Sequence, residues 1–219
     1  MKVCGIVDRA ELEILASADV DLVGLWYGVA GGPHDLSLAD FTELASASGP
    51  PAAVLVTFSK DVALLSSALK DTAAPWIQLH GYQSPGLVRK LKAEVPDVQV
   101  LKVLHVQGGE CLEGSLVGSY ENNGVDAFLL DVVADDGQVG STGQAIDPGA
   151  AASIASTLNI PFFIAGGISD ANRDTYDALA QHPLFLGVDV DTNARDGDGH
   201  IDAGRVSAIT SAWKGQTHV

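Results

Sequence analysis

The sequence predicts a single-domain (β/α)8 barrel, and three observations carry that expectation. Eight short apolar runs recur along the 219 residues, each bounded by turn residues. Most are near-continuous hydrophobic stretches without in/out alternation, which suits parallel strands buried on both faces. Segments with helical spacing lie between them, and this alternation builds a parallel sheet closed into a barrel. The competing architecture is an open doubly wound sheet. Its dinucleotide-binding form is weakened because no Gly-x-Gly-x-x-Gly follows the first run. The length fits one barrel domain over residues 1–219.

The first run spans residues 2–6 and precedes helical spacing over 10–18. The second, 21–27, leads to a helix over 37–47, with Ser37 ahead of Leu38 as a start signal. The third, 52–58, precedes a helix over 61–69. The fourth, 75–80, ends on His80, and Ser84-Pro85 opens a helix over 85–93. The fifth run is 98–106. The span after it, 108–123, is the weakest helix, because Gly108, Gly109, Gly114 and Gly118 fall inside it. The sixth, 126–132, precedes a helix over 148–158 that starts at Asp147-Pro148. The seventh, 160–165, precedes a helix over 170–180, and the eighth, 184–190, a helix over 203–213.

Charge narrows the partners. Lys plus Arg number 12 and Asp plus Glu 28, for a net charge of −16 and a pI near 4.4. This argues against a nucleic acid or an anionic membrane as partner. A phosphorylated ligand would have to be held locally, by backbone N–H groups or a few side chains. The two cysteines, Cys4 and Cys111, make neither a disulfide framework nor a zinc motif. A reduced, cytoplasmic setting is expected. The N-terminal residues do not read as a signal peptide, and no apolar run nears the ~20 residues needed to span a bilayer. The acidic tract at 189–202 is a poor calcium loop, since Arg195 stands where an oxygen is wanted and no terminal Glu follows. No metal and no cofactor are expected.

In a barrel the active site lies at the C-terminal ends of the strands. That rule yields a short list: Cys4, Tyr27, Phe58, His80, Lys102 or His105, Asp131, Gly166-Gly167 and Asp189. A thiol at Cys4 could act as base or nucleophile, or sit inert in the core. Asp131 follows Phe128-Leu129-Leu130, and a carboxylate there needs a partner or a task, if only capping the next loop. The two together make an acid–base pair across a barrel mouth. Gly166-Gly167 would let backbone N–H groups approach an oxyanion, or simply make a tight turn. The segment 137–143 is a lid or a long connection.

These pieces occur in a specific order. Lys2-Val3-Cys4-Gly5-Ile6 is followed by Gln78-Leu79-His80-Gly81, then Leu129-Leu130-Asp131. Gly140-Ser141-Thr142-Gly143 with Asp147, Ala165-Gly166-Gly167-Ile168 and Val188-Asp189-Val190 complete the series. The series resembles the phosphoribosylanthranilate isomerase family of tryptophan biosynthesis, over essentially the whole chain. The resemblance implies an Amadori rearrangement, aminoaldose to 1-amino-1-deoxyketose, without cofactor or metal. It implies that Asp131 is the general acid and Cys4 the general base. His80 and Gly143 would lie at the substrate, and Gly166 and Gly167 would meet its phosphate. A monomer or homodimer is expected.

Three departures from the family pattern stand out. Asp191-Thr192-Asn193 replaces Ser-Ser-Gly at the phosphate end, placing a carboxylate where an anion should bind. At 4 Å and an effective dielectric of 20, such a pair of unit charges repels by about 4 kcal/mol. Arg195 could compensate. His34 replaces the arginine expected to hold the anthranilate carboxylate, and an unperturbed His is mostly neutral at pH 7. Asp198-Gly199-His200-Ile201-Asp202 replaces Pro-Gly-x-x-Asp. Two alternatives therefore stay open: a related isomerase on a less anionic substrate, and a non-catalytic ligand-binding barrel.

Overall fold

The computed structural model describes residues 1–47, 49–72, 74–133 and 145–214. Eight parallel strands form a closed ring. They are β1 (Lys2–Cys4), β2 (Leu22–Trp26), β3 (Ala52–Thr57), β4 (Trp76–Leu79), β5 (Gln99–Gln107), β7 (Ala127–Val132), β8 (Phe162–Ile164) and β9 (Phe185–Val190). A short strand, β6 (Glu110–Cys111), joins β5 in antiparallel fashion. The order β4-β3-β2-β1-β9-β8-β7-β5 is closed by the β4–β5 pairing. The chain is thus the (β/α)8 barrel that the eight apolar runs predict.

The ring of helices comprises α1 (Arg9–Ser17), α2 (Leu38–Ala45), α3 (Val62–Lys70), α4 (Pro85–Glu94), α5 (Val117–Asn122), α6 (Pro148–Ala155), α7 (Asp177–Ala180) and α8 (Ala203–Lys214). Ser37 and Asp147 cap α2 and α6 by accepting the N–H groups of Asp40 and Ala150. Ser84 occupies the expected cap of α4 but makes no side-chain bond, and Pro85 alone starts that helix. No described helix is long and apolar enough to cross a membrane.

Two segments depart from the predicted helices. Gly108 and Gly109 adopt φ of +59° and +85°. They turn the chain back as β6, so only residues 117–122 of the expected helix form as α5. The span 170–180 begins instead as a 3-10 turn, Arg173–Tyr176. Just before it, the Asn172 side chain accepts the Ser169 N–H and donates to the Gly167 carbonyl, both at 2.9 Å. Such local bonds compete with helix formation.

Side chains alternate between the barrel axis and the helix layer. Inside, Leu101, Val103, Ala127, Leu129, Phe163 and Ala165 form one apolar cluster. Cys4, Trp26, Val29, Val54 and Val56 form another. The alternate positions, Val3, Leu25, Leu55, Leu104 and Leu130 among them, pack outward under the helices. The register sets the site. Lys2 faces Asp189 across β1 and β9, Cys4 faces Gly24 across β1 and β2, and His105 faces Asp131 across β5 and β7. Parallel neighbours in register point to the same side, so these polar groups converge.

Candidate active site

One cavity opens at the C-terminal ends of the strands, with an empty volume of about 540 Å³ counted to its mouth. Cys4, His80, Asp131, Gly166, Gly167, Asp191, Thr192 and Asn193 all line it, so most of the residues singled out in sequence share one space. Gly143 and the 137–143 segment lie outside the described residues. His34 is not among the lining residues. It packs edge-on to Trp26 with ring centroids 5.4 Å apart, beside Gly5 and the Arg195 guanidinium.

Asp131 occupies the β7 wall. Its carboxylate accepts the Val132 N–H at 2.9 Å and lies 3.6 Å from His80 Nε2. Burial, reinforced by the nearby Asp189 charge, pushes its pKa up to about 7. A carboxyl that holds its proton near neutrality is suited to donate it. His80 is held by Gln78, whose amide nitrogen is 2.9 Å from Nδ1. Burial, with His105, Lys2 and Lys102 as neighbours, drives the His80 pKa well below its usual value, so the ring is neutral.

Cys4 lines the same cavity from β1. Trp26 Nε1 donates to its sulfur at 3.2 Å. Beneath it the Lys2 ammonium is fully buried and donates to both oxygens of Asp189, at 2.9 and 2.8 Å. Burial works against the Lys2 charge, but Asp189 and Cys4 more than offset it, and the lysine stays ionised. Burial pushes the Cys4 thiol up to about 11, and Lys2 and the Trp26 N–H oppose that rise. Gly24 makes this packing possible. A methyl group there would sit 2.7 Å from Cys4 Sγ and 3.1 Å from Lys2 Nζ.

The third wall carries two consecutive glycines. Gly166 and Gly167 have φ of +87° and +59°, which favours glycine. Among the described residues, the N–H groups of Gly166, Gly167 and Ile168 donate to no backbone or side-chain acceptor. Consecutive N–H groups in such a bend form a concave anion site.

Asp191 borders that wall, and Arg195 answers its charge. Nε donates to Asp191 at 2.9 Å, and Nη1 to the Gly199 carbonyl at 2.9 Å with Glu11 at 3.5 Å. Nη2 donates to the carbonyls of Cys4 and Gly5, at 3.1 and 2.7 Å. All five guanidinium N–H groups thus face acceptors, which makes Arg195 a buried latch between the loops after β1 and β9. Replacing it with Lys keeps the charge but loses the fork. Arg195→Lys is expected to lower unfolding stability by about 3 kcal/mol in a denaturant titration.

Sequence reasoning shortlisted Asp189 but missed its pairing with Lys2, and it missed Trp26. It also missed how Glu113 holds His105. The Glu113 carboxylate accepts the His105 backbone N–H at 2.9 Å and sits 2.6 Å from the ring Nδ1. The charged interior residue Lys2 at the start of an otherwise apolar strand was the available signal.

A (β/α)8 barrel with a carboxyl, a thiol and two glycines of positive φ around one cavity at the strand ends has the layout of an enzyme of this fold. The family model of N-(5'-phosphoribosyl)anthranilate isomerase matches residues 1–211. The chain belongs to the N-(5'-phosphoribosyl)anthranilate isomerase family. The isomerase of Natronomonas pharaonis is 32% identical over 219 residues, covering 98% of both chains. The solved isomerase of Pyrococcus furiosus superposes with a TM-score of 0.77 at 24% identity, covering 98% of both chains. A structure of phosphoribosyl anthranilate isomerase with reduced 1-(o-carboxyphenylamino)-1-deoxyribulose 5-phosphate superposes with a TM-score of 0.78 at 18% identity, again covering 98% of both chains.

Proposed function

We propose that this chain catalyses the Amadori rearrangement for which its family is named, converting an N-(5'-phosphoribosyl) arylamine to the 1-amino-1-deoxyketose. The observation that carries the reading is that Cys4 and Asp131, on different strands, line one cavity together with Gly166 and Gly167. Asp131 protonates the furanose oxygen, the bond from that oxygen to C1' breaks, and the nitrogen lone pair forms an iminium. Cys4 then takes the proton from C2'. The C–H electron pair becomes the C1'=C2' bond, the iminium accepts the displaced pair, and the enolamine tautomerises to the ketone. The iminium is itself the electron sink. Its positive charge, with Lys2 and the Trp26 N–H, favours the thiolate at the moment of transfer. Gly166, Gly167, Thr192 and Asn193 receive the phosphate. We place the reaction in the cytoplasm, where the thiol stays reduced.

The acid and base share one proton through the reaction, and this sets the pH dependence. Above pH 7 that proton rests on Cys4, with its pKa of about 11, and Asp131 is ionised. Moving it to Asp131 gives the productive form at a fixed cost. Below pH 7 both groups are protonated and the base is lost. If C2' deprotonation limits the rate, kcat/KM is flat from about pH 7 to about pH 10 and falls tenfold per unit below 7. A profile without a limb near 7 would remove Asp131 from this scheme.

The direct test mixes the purified protein with phosphoribosylanthranilate, formed in situ from anthranilate and ribose 5-phosphate, and follows loss of its fluorescence. Turnover is expected. Folded protein with no turnover above background would overturn the proposal in favour of a non-catalytic barrel.

A further inference from the structure

The chain's cations are few enough to account for completely. Of the 12 Lys and Arg residues, eight lie in helical turns of the outer ring. The segments outside the described residues contain no Lys or Arg. That leaves Lys2, Lys60, Lys102 and Arg195. Lys2 is committed to Asp189 and the Cys4 sulfur. Arg195 has an acceptor for each of its five donors. Lys102 is buried in the helix layer, donating to the carbonyls of Gly81 and Val103. Lys60 is exposed on the loop between β3 and α3 and does not line the cavity.

His80 and His34 do not replace a cation. Burial drives His80 to the neutral form, and burial with the neighbouring Arg195 charge lowers the pKa of His34 as well. The cavity is instead lined by three carboxyl groups, Asp131, Asp189 and Asp191, and by the Trp26 and His80 rings, with Phe58 4.9 Å from His80. A carboxylate entering this space finds aromatic faces and carboxyl groups whose cations are already committed to them, and burying it there without a partner is costly. The phosphate differs, since the Gly166–Ile168 N–H groups can solvate it.

We propose that the amine half of the substrate is bound without an ion pair, so that N-(5-phosphoribosyl) arylamines lacking a carboxylate are accepted at least as well as the anthranilate derivative. This rests on the isomerase reading above and names the substrate class of the same site. The experiment pairs two substrates made alike from ribose 5-phosphate, one with anthranilate and one with aniline, and measures ketose formation by mass spectrometry. It also compares binding of the two corresponding reduced 1-arylamino-1-deoxy 5-phosphates by calorimetry.

The two reduced compounds are expected to bind within about tenfold of each other, and the aniline substrate to be turned over no more slowly than the anthranilate one. A site built around the carboxylate would reject its absence by orders of magnitude. Tighter binding of the carboxylate compound by about a hundredfold would overturn the proposal, as would a selective loss of its binding in Lys60→Met. If both bind alike and neither substrate turns over, the binding inference stands and the isomerase reading falls. If neither compound binds, both fall.

Discussion

Cys4→Ser and Asp131→Asn are each expected to lower kcat about a thousandfold or more while the protein stays folded. Each change removes one proton-transfer group and keeps its packing. A serine hydroxyl can still accept from the Trp26 N–H, but it is far too weakly acidic to form the anion that Cys4 supplies. An asparagine carbonyl can still accept the Val132 N–H that Asp131 accepts at 2.9 Å, but an amide cannot donate a proton as an acid. Unchanged turnover in either variant would refute the assigned role.

Asp131→Asn has a second expected signature, in stability. The folded pKa of Asp131, about 7, lies above its ordinary value of 3.8. The folded state therefore favours the proton, and ionisation opposes folding. The penalty is absent below about pH 4, grows as the pH rises toward 7, and is complete above it. Three pKa units correspond to about 4 kcal/mol. The variant is expected to be more stable than the parent at pH 8 and equal to it at pH 4. Denaturant titrations at the two pH values check this. A gain in stability with a loss of rate is the behaviour of a group strained for catalysis.

Lys2→Met is the second large effect. It leaves Asp189 buried without its partner, and breaking such a pair costs about 3–5 kcal/mol. It also removes the positive charge beneath Cys4. The loss in kcat/KM is expected to be about a hundredfold, and the thiolate absorbance of Cys4, followed in a Cys111→Ser background, is expected to titrate at higher pH than in the parent. The double variant Lys2→Met/Asp189→Asn separates the two effects. It is expected to recover most of the stability and only part of the rate, because Asp189 raises the Cys4 pKa that Lys2 lowers. Full recovery of both would reduce Lys2 to a structural role.

The fold was legible because parallel barrel strands are apolar on both faces, so runs such as Phe128-Leu129-Leu130 announce themselves. Cys4, His80 and Asp131 were legible because each ends such a run. Pairings between distant residues leave no local pattern, so neither the Lys2–Asp189 contact nor the five-acceptor setting of Arg195 could be read in advance. Arg195 was the compensation the sequence offered for the charge of Asp191, and the structure sets its Nε 2.9 Å from that carboxylate. Local competition hid the rest. Glycines turned one predicted helix into a hairpin, and the Asn172 side chain delayed another.

The seam between the first and last strands governs when this enzyme can exist at all. Lys2 meets its counter-charge 187 residues later, and Arg195 reaches back 191 residues to Cys4. A chain still emerging from the ribosome carries an ammonium meant for a dry interior, with nothing yet to neutralise it, and two open sheet edges besides. Contacts of such sequence separation are slow to form and come late. Such a chain is exposed to aggregation while it waits. Cys4 and Asp131 therefore come to line one cavity only as the ring closes.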